Sequence, residues 1–370
     1  MKEIRKIIKA YDQWRQLEDP MALATVVKVE ESSYRRIGAR MLVSASGQYV
    51  GGISGGCLEG DALKKAKRAI LRQTASKVVY DTLDGDDYQI GVGLGCNGRI
   101  EILFAPLDSR TEDNPIELLR RTIEADQPAV LLKVIAAAEV ADLGQNQLLF
   151  HPDEAIQLVD LTASDLRNDV AAVWDRKRPK VVRFAKGERE VLVEYLRPET
   201  RLLIVGNNYD VNAMIGVARE LGWQISVLAK KAKILRSISS VVHRIYDYSE
   251  VDRIPLDEYT AVVLMTHDYD WDLRMVPHFL NSPPLPYLGM LGPRKRFDKL
   301  NEALQAAGLT RDLRDYPHVH APVGLDIGAE SPEEIALAIA AEILCVFRQR
   351  DGQKLKLRAG TIHEREFWKV

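Results

Sequence analysis

Three cysteines among 370 residues, Cys57, Cys96 and Cys345, are too few and too scattered for a disulfide framework or a paired-cysteine zinc knuckle. Their spacing suits a reducing compartment. Charge of either sign is not in excess. With 51 Lys and Arg against 53 Asp and Glu, the formal net charge is -2 and the pI near 6.4. The chain therefore has no global basic field, which argues against nucleic acid or an anionic membrane as a general partner. Long apolar runs are lacking too: nowhere do ~18 apolar residues stand together, and Met1 to Lys9 alternates charged and apolar residues. Neither an export signal nor a membrane span is visible, and a cytoplasmic location is expected. What remains is ordinary globular composition, 46% hydrophobic and 28% charged, with length enough for two domains that each bury a core.

Against that plain background one stretch reads as a built site: Gly51-Gly52-Ile53-Ser54-Gly55-Gly56-Cys57-Leu58-Glu59-Gly60-Asp61, with a helical pattern beginning just behind it. Glycine adopts positive φ and lets a ligand approach the main chain, so clustered glycines ahead of a helix present bare N–H groups as a concave anion receptor. The positive end of a helix favours an anionic sulfur, which makes Cys57 a candidate ligand or nucleophile. The alternative is a tight strand-to-helix turn in which Cys57 is a small buried hydrophobe. A second constellation, Gly91-Val92-Gly93-Leu94-Gly95-Cys96-Asn97-Gly98, precedes a strand pattern from Arg99 to Phe104. If both turns line one pocket, Cys57 and Cys96 converge on one ligand, with Ser54, Gly55, Gly56 and Gly95 supplying backbone. Arg35, Arg36 and Arg40 would then neutralise its negative charge. Hairpin salt bridges at the surface are an equal reading of these arginines.

In chain order, Ile4, Ile7, Ile8, Tyr11, Trp14 and Leu17 predict an amphipathic helix ending at Asp19-Pro20. Strand patterns follow at Met21 to Glu30, Met41 to Ser44 and Gln48 to Ile53, and a helix whose apolar face is Ala62, Leu63, Ala66, Ala69 and Ile70. Beyond it come a helix from Pro115 to Ala125 and strands at Ala129 to Ala137, Gln147 to Phe150, Val181 to Lys186 and Val191 to Leu196, with short pieces between. Arg197-Pro198-Glu199-Thr200 reads as a linker. This places an N-terminal α+β domain over 1–196, a C-terminal domain over 199–348 and a polar tail over 349–370.

Arg201 to Val205, then Gly206-Asn207-Asn208-Tyr209-Asp210, a helix to Leu221 and a strand from Gln224 to Leu228 give a βαβ opening. The expectation is a Rossmann-like doubly wound parallel sheet. Only the first glycine of a G-x-G-x-x-G fingerprint stands, because Asn208 and Val211 occupy the other positions. Gly206, Asn208 and Asp210 are thus the candidate nucleotide contacts of a weakened site, and NAD(P) binding is doubtful. A strand from Ala261 to Met265 ends in Thr266-His267-Asp268-Tyr269-Asp270-Trp271-Asp272, where His267 and Asp268 are candidate cation ligands; a polar loop with a helix cap explains them equally. Leu285 to Leu288 reads as a strand. Gly292-Pro293-Arg294-Lys295-Arg296 opens a helix with the makings of an anion site. His318 to Ala329 is a loop to which spacing assigns no role. It precedes the capping box Ser331-Pro332-Glu333-Glu334 of a helix that runs to about Arg348.

These blocks together resemble the XdhC/CoxI family, the xanthine dehydrogenase accessory factors, over nearly the whole chain. The residues that carry the resemblance are Ser32 to Arg36 with Gly38 to Met41, Gly51 to Glu59, Gly93 to Cys96, Met290 to Arg296, and Ala321 to Ala329 with the helix start Ser331 to Ala336. The resemblance implies a protein that binds molybdenum cofactor (molybdopterin) transiently and assists its sulfuration, with a cysteine desulfurase as partner. It further implies delivery to an apo xanthine dehydrogenase-type hydroxylase, and a homodimer. It links Cys57 to cofactor binding and, less directly, Cys96. The family commonly carries Gly-Ala-Gly-His-Asp where this chain has Gly206 to Asp210, and glycine where Asn97 stands. A second reading is an NAD(P)-dependent oxidoreductase that uses the C-terminal domain with His267 as acid/base; a third is a non-catalytic interaction protein.

Overall fold

The computed structural model describes residues 1–31, 35–81, 98–184, 188–231, 236–280 and 285–358. It divides into two compact units, Met1–Pro198 and Glu199–Val370. The second glycine–cysteine turn, with Gly95 and Cys96, lies outside the described residues, as do Ser32 to Tyr34 and the last part of the tail from 359.

Unit 1 opens with helix α1 (Lys2–Gln16) and strands β1 (Met21–Glu31), β2 (Arg40–Ser44) and β3 (Tyr49–Gly51). Helix α2 (Glu59–Arg72) and strands β4 (Ser76–Asp81) and β5 (Gly98–Leu107) follow, then α3 (Pro115–Ala125), β6 (Ala129–Ala136) and β7 (Asn146–Leu149). Two-residue strands β8 (Gln157–Leu158) and β9 (Leu161–Thr162) lead to α4 (Ala163–Arg176), β10 (Lys180–Phe184) and β11 (Arg189–Leu196). Among the described residues these strands build three antiparallel sheets, ordered β3-β2-β1-β5-β4, β10-β11-β6-β7 and the two-stranded β8-β9.

Alternation along the strands decides the layering, because successive side chains face opposite sides. Ala22, Ala24 and Val26 of β1 pack with Met41 and Val43 under Ala62, Ala66 and Ile70 of α2. On the opposite face Val27 and Leu103 meet Ile135 and Leu192 of the second sheet. The far side of that sheet is covered by Leu166, Val170 and Val173 of α4. Ile7, Tyr11 and Trp14 of α1 join Leu23, Leu42 and Ile116 in a further cluster. Helix α4 is not evident from the sequence: its charged and amide residues dilute the pattern, and its start depends on a capping box between Thr162 and Asp165.

The packing between the two sheets also contains charge. Arg40, 5% exposed, donates through Nη2 to Glu194 Oε2 at 2.5 Å and through Nη1 to the Gly38 carbonyl at 2.6 Å. A Cβ at Gly38 would overlap the Glu194 carboxylate, so a side chain there would displace it. Lys133, fully buried on β6, is close enough to feel both charges. A second cation thus lies in the field of the Arg40–Glu194 pair. Burial, reinforced by Arg40 and opposed by Glu194, pushes the Lys133 ammonium down to about 7.

Unit 2 contains strands β12 (Arg201–Val205), β13 (Gln224–Leu228), β14 (Arg244–Tyr246), β15 (Thr260–Leu264), β16 (Tyr287–Met290) and β17 (Val319–His320). Its helices are α5 (Tyr209–Leu221), the short α6 (Arg236–Ser239), α7 (Tyr269–Leu280), α8 (Arg294–Ala306) and α9 (Pro332–Arg348). The strand order is β14-β13-β12-β15-β16-β17 and every pairing is parallel. That is the doubly wound dinucleotide-fold order with its switch point between β12 and β15. Helices α5 and α9 bury Met214, Ile215, Ile339 and Ile343 on one face of the sheet. Helices α7 and α8 bury Met275, Phe279, Phe297 and Leu300 on the other. The expected polar stretch after β15 turns into α7, disguised in the sequence by its acidic start and internal Pro277. No helix among the described residues is long and apolar enough to cross a membrane.

Lys133 generates a prediction with a definite sign. Below about pH 7 both the folded and unfolded chains carry its charge, the folded one at a desolvation cost. Between there and the ordinary lysine value near ~10.4, only the unfolded chain binds the proton, so stability climbs with pH across that window. Lys133→Met is expected to flatten the climb and to raise neutral-pH stability by about 1–4 kcal/mol, read from denaturant midpoints between pH 6 and 10. A climb that persists in the variant assigns the titration to another group.

Candidate functional site

The glycine stretch is a turn organised by a carboxylate. Strand β3 ends at Gly51, whose φ of +87° belongs to glycine and whose Cβ would strike the Arg40 carbonyl. The Gly52 N–H donates to that same carbonyl at 2.9 Å. From there the chain loops back over Glu59, the first residue of α2. Glu59 Oε1 accepts from the Ile53 N–H at 3.3 Å and the Ser54 N–H at 2.9 Å, while the Ser54 hydroxyl donates to Oε2. Having given its proton away, Ser54 Oγ accepts from the N–H groups of Gly56 at 3.2 Å and Leu58 at 3.1 Å. Burial alone would raise the Glu59 carboxyl. The bonds from the Ser54 hydroxyl, the Ser54 N–H, its own N–H and the Ile53 N–H outweigh burial and leave it below the usual carboxylate range.

The expectation of a bare amide cradle is therefore corrected: Glu59, directly or through Ser54, already engages four of the turn's N–H groups. Those of Gly55 and Cys57 meet no acceptor among the described residues. Gly55, Gly56 and Cys57 are exposed. The Gly56 φ of +114° favours glycine, and a Cβ there would meet nothing within 4 Å. Cys57 precedes Leu58, the cap residue of α2, and its thiol is free and open to solvent, so the buried-hydrophobe alternative does not hold.

The three arginines separate. Arg35 is half-buried and donates to Glu3 Oε2 at 3.2 Å; a Cβ at Gly52 would stand 3.3 Å from Arg35 Nη2 and 3.5 Å from Glu59 Oε1. It borders the turn. Arg36 is exposed. Arg40 is committed to Glu194 between the sheets, so of the three it is the one placed inside the fold. Sequence reasoning alone gives Glu59 no role. The signal was present: an acid at a helix start, five residues after a serine, behind a glycine run.

In unit 2 the carboxyl edge of the parallel sheet has a close backbone approach at its switch point. Gly206 has φ +134°, and a Cβ there would stand 2.6 Å from the Met265 carbonyl. Asn208 crosses from the β12–α5 turn to donate through Nδ2 to that carbonyl at 2.9 Å, and its Oδ1 is buried without a hydrogen-bond partner among the described residues. Asp210 lies 3.5 Å from His267 Nε2, and His267 is 69% exposed. Asp268 Oδ1 accepts from the N–H groups of Asp270 and Trp271, which makes it a cap of α7. No group of three or more metal-ligating side chains occurs among the described residues. The cation expectation at His267 and Asp268 thus has a helix cap in its place. In the basic run opening α8, Arg296 is paired with Asp272 at 2.6 Å, while Arg294 and Lys295 are exposed.

The loop without a role, His318 to Ala329, is held by Glu342 of α9. Glu342 Oε2 accepts from the Tyr287 hydroxyl at 2.6 Å and the Gly324 N–H at 2.9 Å, and Oε1 lies 3.4 Å from His320 Nδ1. The His320 ring stacks on Tyr287 with centroids 4.4 Å apart. Sequence reasoning missed this cluster because its members come from β16, β17 and α9.

Two family profiles match the chain: the XdhC Rossmann domain over residues 202–343, and the XdhC and CoxI family over residues 14–81, which takes in Arg35, Arg40 and the whole Cys57 turn. The chain is 28% identical over 340 residues to a probable xanthine dehydrogenase subunit from Bacillus subtilis, covering 88% of this chain and 93% of that one. It is 24% identical over 324 residues to the molybdenum cofactor insertion chaperone PaoD of Escherichia coli, covering 88% and 82%. A crystal structure from Bacillus halodurans, described as a xanthine dehydrogenase, matches with a TM-score of 0.72 and 27% identity over 93% of this chain and 96% of that one.

The Ser54 relay makes a measurable contribution to the turn. Ser54→Ala removes one donor to Glu59 and strands the Gly56 and Leu58 N–H groups. It is expected to cost about 1–3 kcal/mol and to speed hydrogen exchange at those two amides. Because the Glu59 carboxyl is lowered, its stabilisation is complete above its ordinary value of 4.5 and fades as pH falls through the folded value, so the protection of the Ser54 amide, taken relative to its intrinsic exchange rate at each pH, falls on acidification. Protection that ignores both the substitution and the pH drop is the contrary result.

Proposed function

The chain belongs to the XdhC and CoxI family, and from that premise we propose that it is a carrier that receives molybdenum cofactor as cargo and hands it to an apo-hydroxylase of the xanthine dehydrogenase type. The observation that carries the reading is the exposed Cys57 thiol on a turn tied to Glu59 by hydrogen bonds and open at Gly56. Molybdenum is thiophilic, and a cysteine sulfur is a fitting donor to it. The N–H groups of Gly55 and Cys57, which meet no acceptor among the described residues, suit the small acceptor atoms that such a metal carries. Arg35 beside the turn and the exposed Arg36 supply positive charge for an anionic cargo.

Both the insertion chaperone of Escherichia coli and the Bacillus subtilis protein align with this chain across unit 1 and unit 2, which supports a cofactor-linked role of the whole protein. Within this reading the finer steps are assistance in sulfuration, with a cysteine desulfurase as sulfur source, and a homodimer as the working form. An oxidoreductase centred on His267 has less support, since that imidazole is largely exposed and faces Asp210.

The test is retention of cargo. Wild-type protein expressed with an active cofactor pathway is expected to copurify with molybdenum and pterin, measured by elemental analysis and by fluorescence of the oxidised pterin. Cys57→Ser is expected to lower both at least about tenfold, a loss of ~1.4 kcal/mol or more, with melting temperature unchanged. Equal retention in the variant counts against the reading.

A further inference from the structure

We infer that Glu59 is the resident anion of the Cys57 turn and thereby fixes what the turn selects: a thiophilic metal centre bearing small hydrogen-bond acceptors, and not a phosphate. The inference takes the identity of the cargo from the carrier reading and everything else from the geometry.

A glycine-rich turn before a helix ordinarily receives a phosphate because its amides and the positive helix end are unanswered. Here the helix end and four of the turn's amides are answered from within. The Ile53 and Ser54 amides point at Glu59 Oε1, and the Gly56 and Leu58 amides reach the same carboxylate through Ser54 Oγ. The first turn of α2 contains a second carboxylate, Asp61, which accepts from the Tyr80 hydroxyl at 2.8 Å. Glu59 is buried, and its lowered pKa keeps it ionised at neutral pH. A phosphate drawn to these amides would meet a negative charge already in place, in surroundings where solvent screens it poorly. The outward side differs. Gly56 leaves open space, and the exposed sulfur of Cys57 stands beside the Gly55 and Cys57 amides, which meet no acceptor among the described residues.

Glu59 is thus a specificity-determining residue that acts through the turn without touching the cargo. The carboxylate discriminates between the two ends of a molybdenum–pterin group. The metal end fits at Cys57, and the phosphate end is turned away toward other parts of the protein.

Alkylation of Cys57 by iodoacetamide, followed by peptide mass spectrometry on the full chain, tests this with inorganic phosphate and pyrophosphate as probes at ionic strength matched by chloride. The wild-type rate is expected to be indifferent to either anion. In Glu59→Gln, which removes the charge while keeping an oxygen acceptor, phosphate is expected to slow alkylation several-fold. Ser54→Ala frees two amides and keeps the carboxylate, and is expected to stay indifferent. Slowing of the wild type by phosphate overturns the inference, and so does indifference of a folded Glu59→Gln. Should Glu59→Gln lose its thermal transition, the wild-type arm decides: slowing there overturns the inference, and indifference to phosphate together with protection of the same thiol by molybdenum cofactor supports it. Cofactor that fails to protect wild-type Cys57 removes the carrier reading and leaves the phosphate result standing on its own.

Discussion

A single buried carboxylate, that of Glu59, gathers the hydrogen bonds on which the Cys57 turn depends. Four glycines within six residues give a chain with little preference of its own, and fixing each backbone residue costs on the order of 1–2 kcal/mol of conformational entropy. Glu59 opposes that cost by accepting from Ile53 and Ser54 and by drawing the Ser54 hydroxyl into a relay toward Gly56 and Leu58. Helix α2 holds Glu59 in place, and the packing of Ala62, Ala66 and Ile70 on the first sheet holds α2. The order of dependence runs from sheet to helix to carboxylate to turn, and ends at a sulfur atom facing solvent.

Unit 2 has the opposite character at its own sheet edge. At the switch point between β12 and β15, Gly206 lies close against the Met265 backbone and the Asn208 side chain bonds to the Met265 carbonyl. A glycine at position 208 would leave that carbonyl without this bond. The architecture of a nucleotide fold is therefore present, with a side-chain amide standing where the fingerprint would have its second glycine. The Glu342 cluster gives the unit a second ordered feature, a loop fixed to α9 by a carboxylate that burial would raise and that the His320 and Tyr287 bonds hold low.

Much of the architecture was legible because its causes are local. The apolar spacing of Ile7, Tyr11 and Trp14 marks α1, and Ser331-Pro332-Glu333-Glu334 marks the start of α9, where Ser331 Oγ accepts from the Glu334 N–H as that pattern demands. The βαβ opening of unit 2 was equally plain, since buried parallel strands read as continuous apolar runs. What escaped depends on distant partners. Arg40 looks like an anion-binding arginine beside a glycine turn, but its partner Glu194 is 154 positions away. The role of Glu59 escaped for another reason: the donors are near in sequence, but only the folded turn aims them at one carboxylate. Helices α4 and α7 were hidden by polar dilution and by Pro277.

The most direct measurement is X-ray absorption at the molybdenum edge of cofactor-loaded protein, compared between wild type and a Cys57→Ser variant loaded in vitro to the same occupancy. A sulfur neighbour of molybdenum beyond those the cofactor brings, present in wild type and missing in the variant, is the expected result. Identical spectra from the two proteins would contradict a cargo held through Cys57.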